Sequence, residues 1–207
     1  MSHLTYKEVK QAMMECEQTP GLSVLDHGKL VYQYYQNMEE IFIFDGDATG
    51  WRIPKWLMDY ADDFHFYSDQ IIWFYTHYHD CGKPYVLEID ADGKRHFPNH
   101  AEKSYQVWKQ IDHPKLIQEQ YPFFIEEVGQ LILHDMDLHL LKADQIDSWL
   151  EQRNEQEAIT LLLIALCEVH ANAEMWGGID SVGFKIKWKQ INKRGNQICQ
   201  KLYGKKS

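Results

Sequence analysis

Apolar residues recur at spacings of three and four along most of the chain, which predicts helices separated by short polar breaks. Thr5 is placed to cap a helix running to about Gln18, and Thr19-Pro20-Gly21 is a strong stop. A second helix is expected to begin near Leu22 to Asp26, with Leu30, Val31, Tyr34 and Tyr35 continuing one apolar stripe from His27. Residues 41–54 are the least regular part of the first half. Their Asp45-Gly46-Asp47 reads as a turn rather than a calcium loop, because the other oxygen ligands and the glutamate at loop position 12 are missing. Helices follow over 54–63, with Trp56, Leu57 and Tyr60 on one side, and from Ser68 to about His79, presenting Ile71, Ile72, Phe74 and Tyr75.

Residues 85–97 alternate around Asp90-Ala91-Asp92-Gly93 and predict a short hairpin. The next helix is expected after Pro98, with Asn99 as cap and Glu102 three residues on. Two more are expected over 115–120 and 122–136. The run from Thr160 to Cys167 is apolar nearly all round, the mark of a buried helix, and Trp176-Gly177-Gly178 ends it. Phe184-Lys185-Ile186-Lys187-Trp188-Lys189 alternates with period two, which suggests an extended segment with one cationic face, ahead of a basic helix from Ile191 to Tyr203. The expected fold is therefore an all-α bundle with one small hairpin, in a single domain over 1–207 with a basic extension over 181–207.

Composition sharpens this. At 207 residues, 44% apolar and 14% aromatic, the chain suits one well-buried globular domain. No apolar run is long enough to span a bilayer and no signal-like segment opens the sequence, so a soluble, unexported, cytoplasmic protein with no membrane partner is expected. Cys16, Cys81, Cys167 and Cys199 have no Cys-x-x-Cys spacing, which points to reduced thiols rather than a disulfide framework or zinc finger. The formal charge of −10 hides an asymmetry: from Ser181 onward there are eight Lys or Arg and no acid, against 13 basic and 31 acidic residues before. Such a segment can attract a polyanion locally, or be a solvated helix face. Exposed aromatics would favour a homodimer, although the seven tryptophans read mainly as core.

The chemistry centres on Thr76-His77-Tyr78-His79-Asp80-Cys81-Gly82-Lys83-Pro84. An adjacent His-Asp pair offers a divalent metal one imidazole and one carboxylate from a single element. Asp80 and Lys83, three apart, share a side if the helix persists, so Lys83 can reach a phosphate near the metal. His77 points elsewhere and reads as a core or surface group. His79-Asp80-Cys81-Gly82-Lys83-Pro84, followed by Phe97-Pro98-Asn99-His100-Ala101-Glu102 and Ser104, resembles the signature of HD-domain metal-dependent phosphohydrolases, in particular the HD domains associated with tRNA nucleotidyltransferases.

The resemblance implies a helical HD bundle with the hairpin after the His-Asp motif, one or two divalent ions (Mn, Fe, Ni, Co or Mg), and a metal-activated water. It implies His27, His79 and Asp80 as ligands, His100 as ligand of a second metal or of the substrate phosphate, and His134 with Asp135 as a later ligand segment in which Asp135 could also be a general base. A terminal acid is expected on a late helix. Glu168, after the buried apolar run, is the preferred candidate over Asp144, and a glutamate where the family has aspartate leaves His170 as a further alternative. The expected substrate is a nucleotide or RNA-end phosphate, as monoester or diester. The alternatives are a deoxynucleoside phosphate or triphosphate, and a non-catalytic nucleotide-binding module.

Overall fold

The computed structural model describes residues 3–44, 46–121 and 123–204. In chain order the elements are α1 (Tyr6–Glu15), β1 (Glu17–Thr19), β2 (Leu22–Ser23), α2 (Val24–Phe44), α3 (Lys55–Tyr60), α4 (Asp69–Tyr78), β3 (Glu88–Ile89), β4 (Arg95–His96), α5 (His100–Gln110), α6 (Lys115–Gln120), α7 (Phe124–Leu133), α8 (Asp137–Leu140), α9 (Ile146–Glu151), α10 (Glu155–Ala171) and α11 (Val182–Tyr203). The fold is all-α. Among the described residues the sheets are two antiparallel pairs, β1 with β2 and β3 with β4. Among the described residues no helix is long and apolar enough to cross a membrane. Asp45 of the expected turn, Pro122 at the start of the expected 122–136 helix, and residues 205–207 of the basic extension lie outside the described residues.

The chain divides into two compact units. The first holds the chain up to Tyr32 together with Ser68–Asp135. Its core is aromatic: Phe74 and Tyr78 of α4 meet Trp108 of α5 and Tyr6 of α1, with ring centroids 5.6–6.3 Å apart, and Phe124 of α7 stands edge-on to Phe74 at 5.0 Å. Each such pair contributes about 0.5–1.5 kcal/mol beyond area burial. Gly129 lets α7 approach α5, since a Cβ there would sit 3.2 Å from the Tyr105 ring. His113 is held in one tautomer, with Nε2 donating to the Trp108 carbonyl at 2.9 Å and Nδ1 accepting from the Tyr6 hydroxyl at 2.7 Å. Burial lowers its pKa.

The second unit holds Gln33–Tyr67 and the chain from Met136. Its centre is α10, buried from Ala158 to Ala171, as its all-round apolar sequence requires. Asn154 caps it, accepting from the Glu157 N–H at 2.8 Å. Against it and α3 packs α11, whose Gly195 lies so close to Trp56 that an added Cβ would overlap the indole.

Four local expectations need correction. First, α1 ends at Glu15 rather than Gln18: Pro20-Gly21, with Gly21 at φ +82°, makes a tight turn that pairs Thr19 with Leu22 and draws Glu17–Thr19 into a strand. Second, residues 41–44 are the last turn of α2 rather than irregular. Third, Asn99 precedes α5 at φ 52° in the left-handed region, and its side chain makes no cap hydrogen bond. Fourth, Phe184–Lys189 is helical, not extended. Ser181 caps α11 by accepting from the Phe184 N–H at 3.1 Å. Phe184, Ile191, Gly195 and Ile198 form a longer buried stripe at helical spacing, which overrides six residues of alternation.

His170 ties residues 46–54 to α10. Its Nδ1 donates to the Leu166 carbonyl at 2.8 Å, its Nε2 accepts the Arg52 N–H at 3.1 Å, and the tilted Trp51 ring packs against it with centroids 4.2 Å apart. Burial pushes its pKa down to about 4. Below the ordinary histidine value of about 6.5 the unfolded chain takes up a proton that the folded protein refuses. The stability is complete above that value and drains away as pH falls toward 4. Wild type should therefore lose about 2 kcal/mol more than His170→Phe between pH 7 and pH 5 in urea denaturation. Equal losses would show that His170 is not held neutral.

Candidate metal centre

In the first unit two glycines bring three helices to one point. His27 lies in the first turn of α2, and beside it Gly28 rests on the end of α4, where a Cβ would stand 2.6 Å from the Thr76 carbonyl oxygen. Gly82, just after the His-Asp pair, rests on the first turn of α5: a Cβ there would overlap the Ser104 nitrogen and lie 2.6 Å from the Lys103 carbonyl carbon. The Gly82 N–H donates to Ser104 Oγ at 2.8 Å, fixing the approach. His79 is the C-cap of α4 and His100 the first residue of α5, so both project from helix ends held by these contacts.

The side chains converge on Asp80, which is 2% exposed. His79 Nε2 lies 3.2 Å and His27 Nε2 3.9 Å from its Oδ2, and His100 Nε2 lies 3.5 Å from its Oδ1. Nitrogen atoms of His27 and His79 lie within 4.8 Å of each other. Two of the rings are oriented from behind: His79 Nδ1–H donates to the Thr76 carbonyl at 2.7 Å and His100 Nδ1–H to the Phe97 carbonyl at 3.0 Å. A backbone acceptor on one ring nitrogen aims the other as a ligand, the usual support of metal-binding histidines.

Lys83 lies beside Asp80 as its spacing predicts, but its ammonium faces inward. Nζ is 2.6 Å from Asp80 Oδ2 and 2.9 Å from Gln18 Oε1, and lies 5.4 Å from the centre of the Phe97 ring. Arg95 of β4 pairs with Glu17 of β1 at 2.7 Å, so the two hairpins meet near this lysine. Burial by itself would raise the Asp80 carboxyl. The neighbouring His79 and Lys83, with His100, outweigh it and hold the carboxyl well below the ordinary carboxylate range. Asp135, 4% exposed after the end of α7, accepts a 2.6 Å hydrogen bond on Oδ1 from the buried Tyr75 hydroxyl of α4.

The donor set suits a divalent ion. Imidazole nitrogens and a carboxylate are the mixed ligands of first-row metals. Separations of 3.2 and 3.9 Å bracket the roughly 3.4 Å expected between ligands about 2.1 Å from a tetrahedral centre. Asp80 Oδ1 makes no hydrogen bond among the described residues, and a buried carboxylate oxygen calls for a partner. His27 and His79 can help to hold a metal ion.

Of the residues expected from the sequence, the structure brings together His27, His79, Asp80, Lys83 and His100. His134 is half-buried at the C-cap of α7, next to Asp135. Glu168 is buried on α10 in the second unit, with His139 Nε2 2.8 Å from its Oε2. Asp144 is exposed in a short 3-10 turn of that unit, and both ring nitrogens of His170 are committed to backbone, so neither alternative fits a buried terminal ligand. His77 is a satisfied core group, donating to the Trp73 carbonyl at 2.8 Å and stacked on that indole. Sequence reasoning missed Gln18, hidden in an overextended helix, and Tyr75, read only as part of an apolar face. The Pro-Gly turn was the available signal for the first; nothing in the sequence marked the second.

No family model, curated protein or solved structure matches the chain.

Removing one partner of a buried ion pair leaves an uncompensated charge, at a cost of about 3–5 kcal/mol. Lys83→Met should lose about that much stability in chelator-treated protein, and Lys83→Met/Asp80→Asn should recover most of it. A double variant no more stable than the single one would show that the pair is not coupled. Gly82→Ala should cost about 1–3 kcal/mol by forcing α5 away from the His-Asp turn, read by the same denaturation.

Proposed function

We propose that this chain is a metal-dependent phosphohydrolase of the HD-domain type, acting on a nucleotide or RNA-end phosphate. The observation that carries the reading is the convergence of three imidazole nitrogens on one buried carboxylate, with two of the rings oriented by backbone carbonyls. It coincides with the sequence signature that resembles that family.

His27, His79 and Asp80 would hold the ion, with His100 available to a second one or to a substrate oxygen. A divalent ion supplies Lewis-acid polarisation of a phosphoryl oxygen and acidifies water enough to make a nucleophile near neutral pH. The protein's part is orientation and proton handling. The Thr76 and Phe97 carbonyls keep the Nε2 faces of His79 and His100 directed inward. Tyr75 fixes the Asp135 carboxylate, which we assign as the base that accepts a proton from attacking water. Lys83, bonded to Asp80 and Gln18, balances the buried carboxylate. Glu168 keeps the role of terminal acid that the sequence resemblance gives it. Mn, Fe, Ni, Co and Mg all suit such ligands.

The test pairs elemental analysis of the purified protein with hydrolysis of an aryl phosphate and a panel of ribo- and deoxynucleotides, with added Mn. Bound metal and turnover should both be lost in Asp80→Ala, and metal content should fall in Glu168→Gln. Folded wild-type protein with neither metal nor turnover in the presence of Mn would overturn catalysis and leave a nucleotide-binding module. Turnover confined to deoxynucleotides would move the substrate to that class.

A further inference from the structure

The second unit carries a cationic surface that the hydrolytic reading does not use. Along α11 the buried face is Phe184, Ile191 and Ile198, each at most 1% exposed. The opposite side carries Lys185, Lys189 and Lys193, exposed and four residues apart, with exposed Lys187 further round the helix. Steps of four residues put successive lysines of the row about 6 Å apart on one side of the helix. α11 contains no acidic residue. Among the described residues Lys187, Lys189 and Lys193 make no ion pair, and Lys185 has only Asp180, 86% exposed, at 3.6 Å. An exposed pair of that kind holds a lysine weakly.

The charge is also segregated. Before Ser181 the chain carries 31 acidic and 13 basic residues, so the remainder of the surface repels a polyanion while this helix attracts one. A row one lysine wide follows a single phosphodiester strand. A lipid surface fits less well: the apolar face of α11 is committed to the core, leaving Val182 and Ile186 as the helix's exposed large aliphatics, whereas a membrane-bound helix needs a broad free apolar face.

We propose that the exposed side of α11 binds the phosphate backbone of single-stranded nucleic acid, without regard to base sequence. The inference deepens the nucleotide or nucleic-acid-end reading and rests on it for the biological substrate, while the binding itself stands on the charge pattern of the helix.

Fluorescence anisotropy with a labelled 20-nucleotide oligouridylate measures it on the full chain. Three phosphate contacts on a single strand give a salt slope of about −2, so affinity should fall about 20-fold between 50 and 200 mM KCl. Lys185→Gln/Lys189→Gln/Lys193→Gln should weaken binding at least tenfold at 50 mM and flatten the slope, with an unchanged melting temperature and unchanged hydrolysis of aryl phosphate. Equal affinity and slope in wild type and triple variant would overturn the proposal. So would absence of strand binding together with binding to vesicles of phosphatidylcholine and phosphatidylserine at three to one. Strand binding that depends on these lysines in a protein without phosphatase turnover would uphold this inference while removing the hydrolytic one.

Discussion

A buried carboxylate is the constraint on which the first unit depends. Taking an ion such as Asp80 out of water costs several kcal/mol even after relaxation, and only close cations or hydrogen bonds can offset it. The unit meets that need with a lysine three residues along the chain, and it packs three imidazoles from three helices around the same carboxylate. Bringing helices that close requires backbone against backbone, hence Gly28 beneath the end of α4 and Gly82 beneath the start of α5. Alanine at either place would separate the very groups that make the carboxylate tolerable. Packing and electrostatics are therefore not independent here: the glycines are spaced by the charge they serve.

The parts of this arrangement that are local in sequence were legible in it. His79, Asp80 and Lys83 occupy one turn and the breaking residues Gly82 and Pro84 follow at once, so their mutual placement needs no tertiary knowledge. His100 was legible one step further away, because the Asp90–Gly93 turn returns the chain after a short hairpin. What the sequence could not carry was the direction of the Lys83 ammonium. Side-chain spacing places Lys83 beside Asp80, but whether it faces solvent or the carboxylate depends on Gln18 and Phe97, which arrive from two separate hairpins. Tyr75 was invisible for a related reason: a tyrosine within an apolar stripe declares its ring and not the destination of its hydroxyl, here the Asp135 carboxylate.

Errors in secondary structure share one physical origin. Period-two alternation over Phe184–Lys189 is a short-range signal, and six residues are too few to distinguish a strand from a helix whose apolar stripe continues beyond them. Extending the window to Ile198 restores the helical period, and the Ser181 cap marks its beginning. The misplaced end of α1 came from the converse neglect: helix propensity was carried up to the break, whereas a Pro-Gly turn demands paired residues on both sides of it. In both cases the element was decided by what lies just outside the window that suggested it.

Charge accounting links the centre to its proposed chemistry. Lys83 and Asp80 cancel, so the ion pair at the heart of this cluster offers an incoming phosphate little net attraction by itself. The protein as a whole is acidic, with a formal charge of −10. On the proposed reading, a bound divalent ion is then needed twice, once to satisfy the donors gathered around Asp80 and once to supply the positive field that a phosphate requires. On that reading, a centre built in this way would bind an anionic substrate only after it is loaded. Loss of the ion would therefore remove ground-state binding of phosphate as well as the reaction, which distinguishes it from a site where lysines and arginines alone recruit the substrate and the ion acts only in the chemical step.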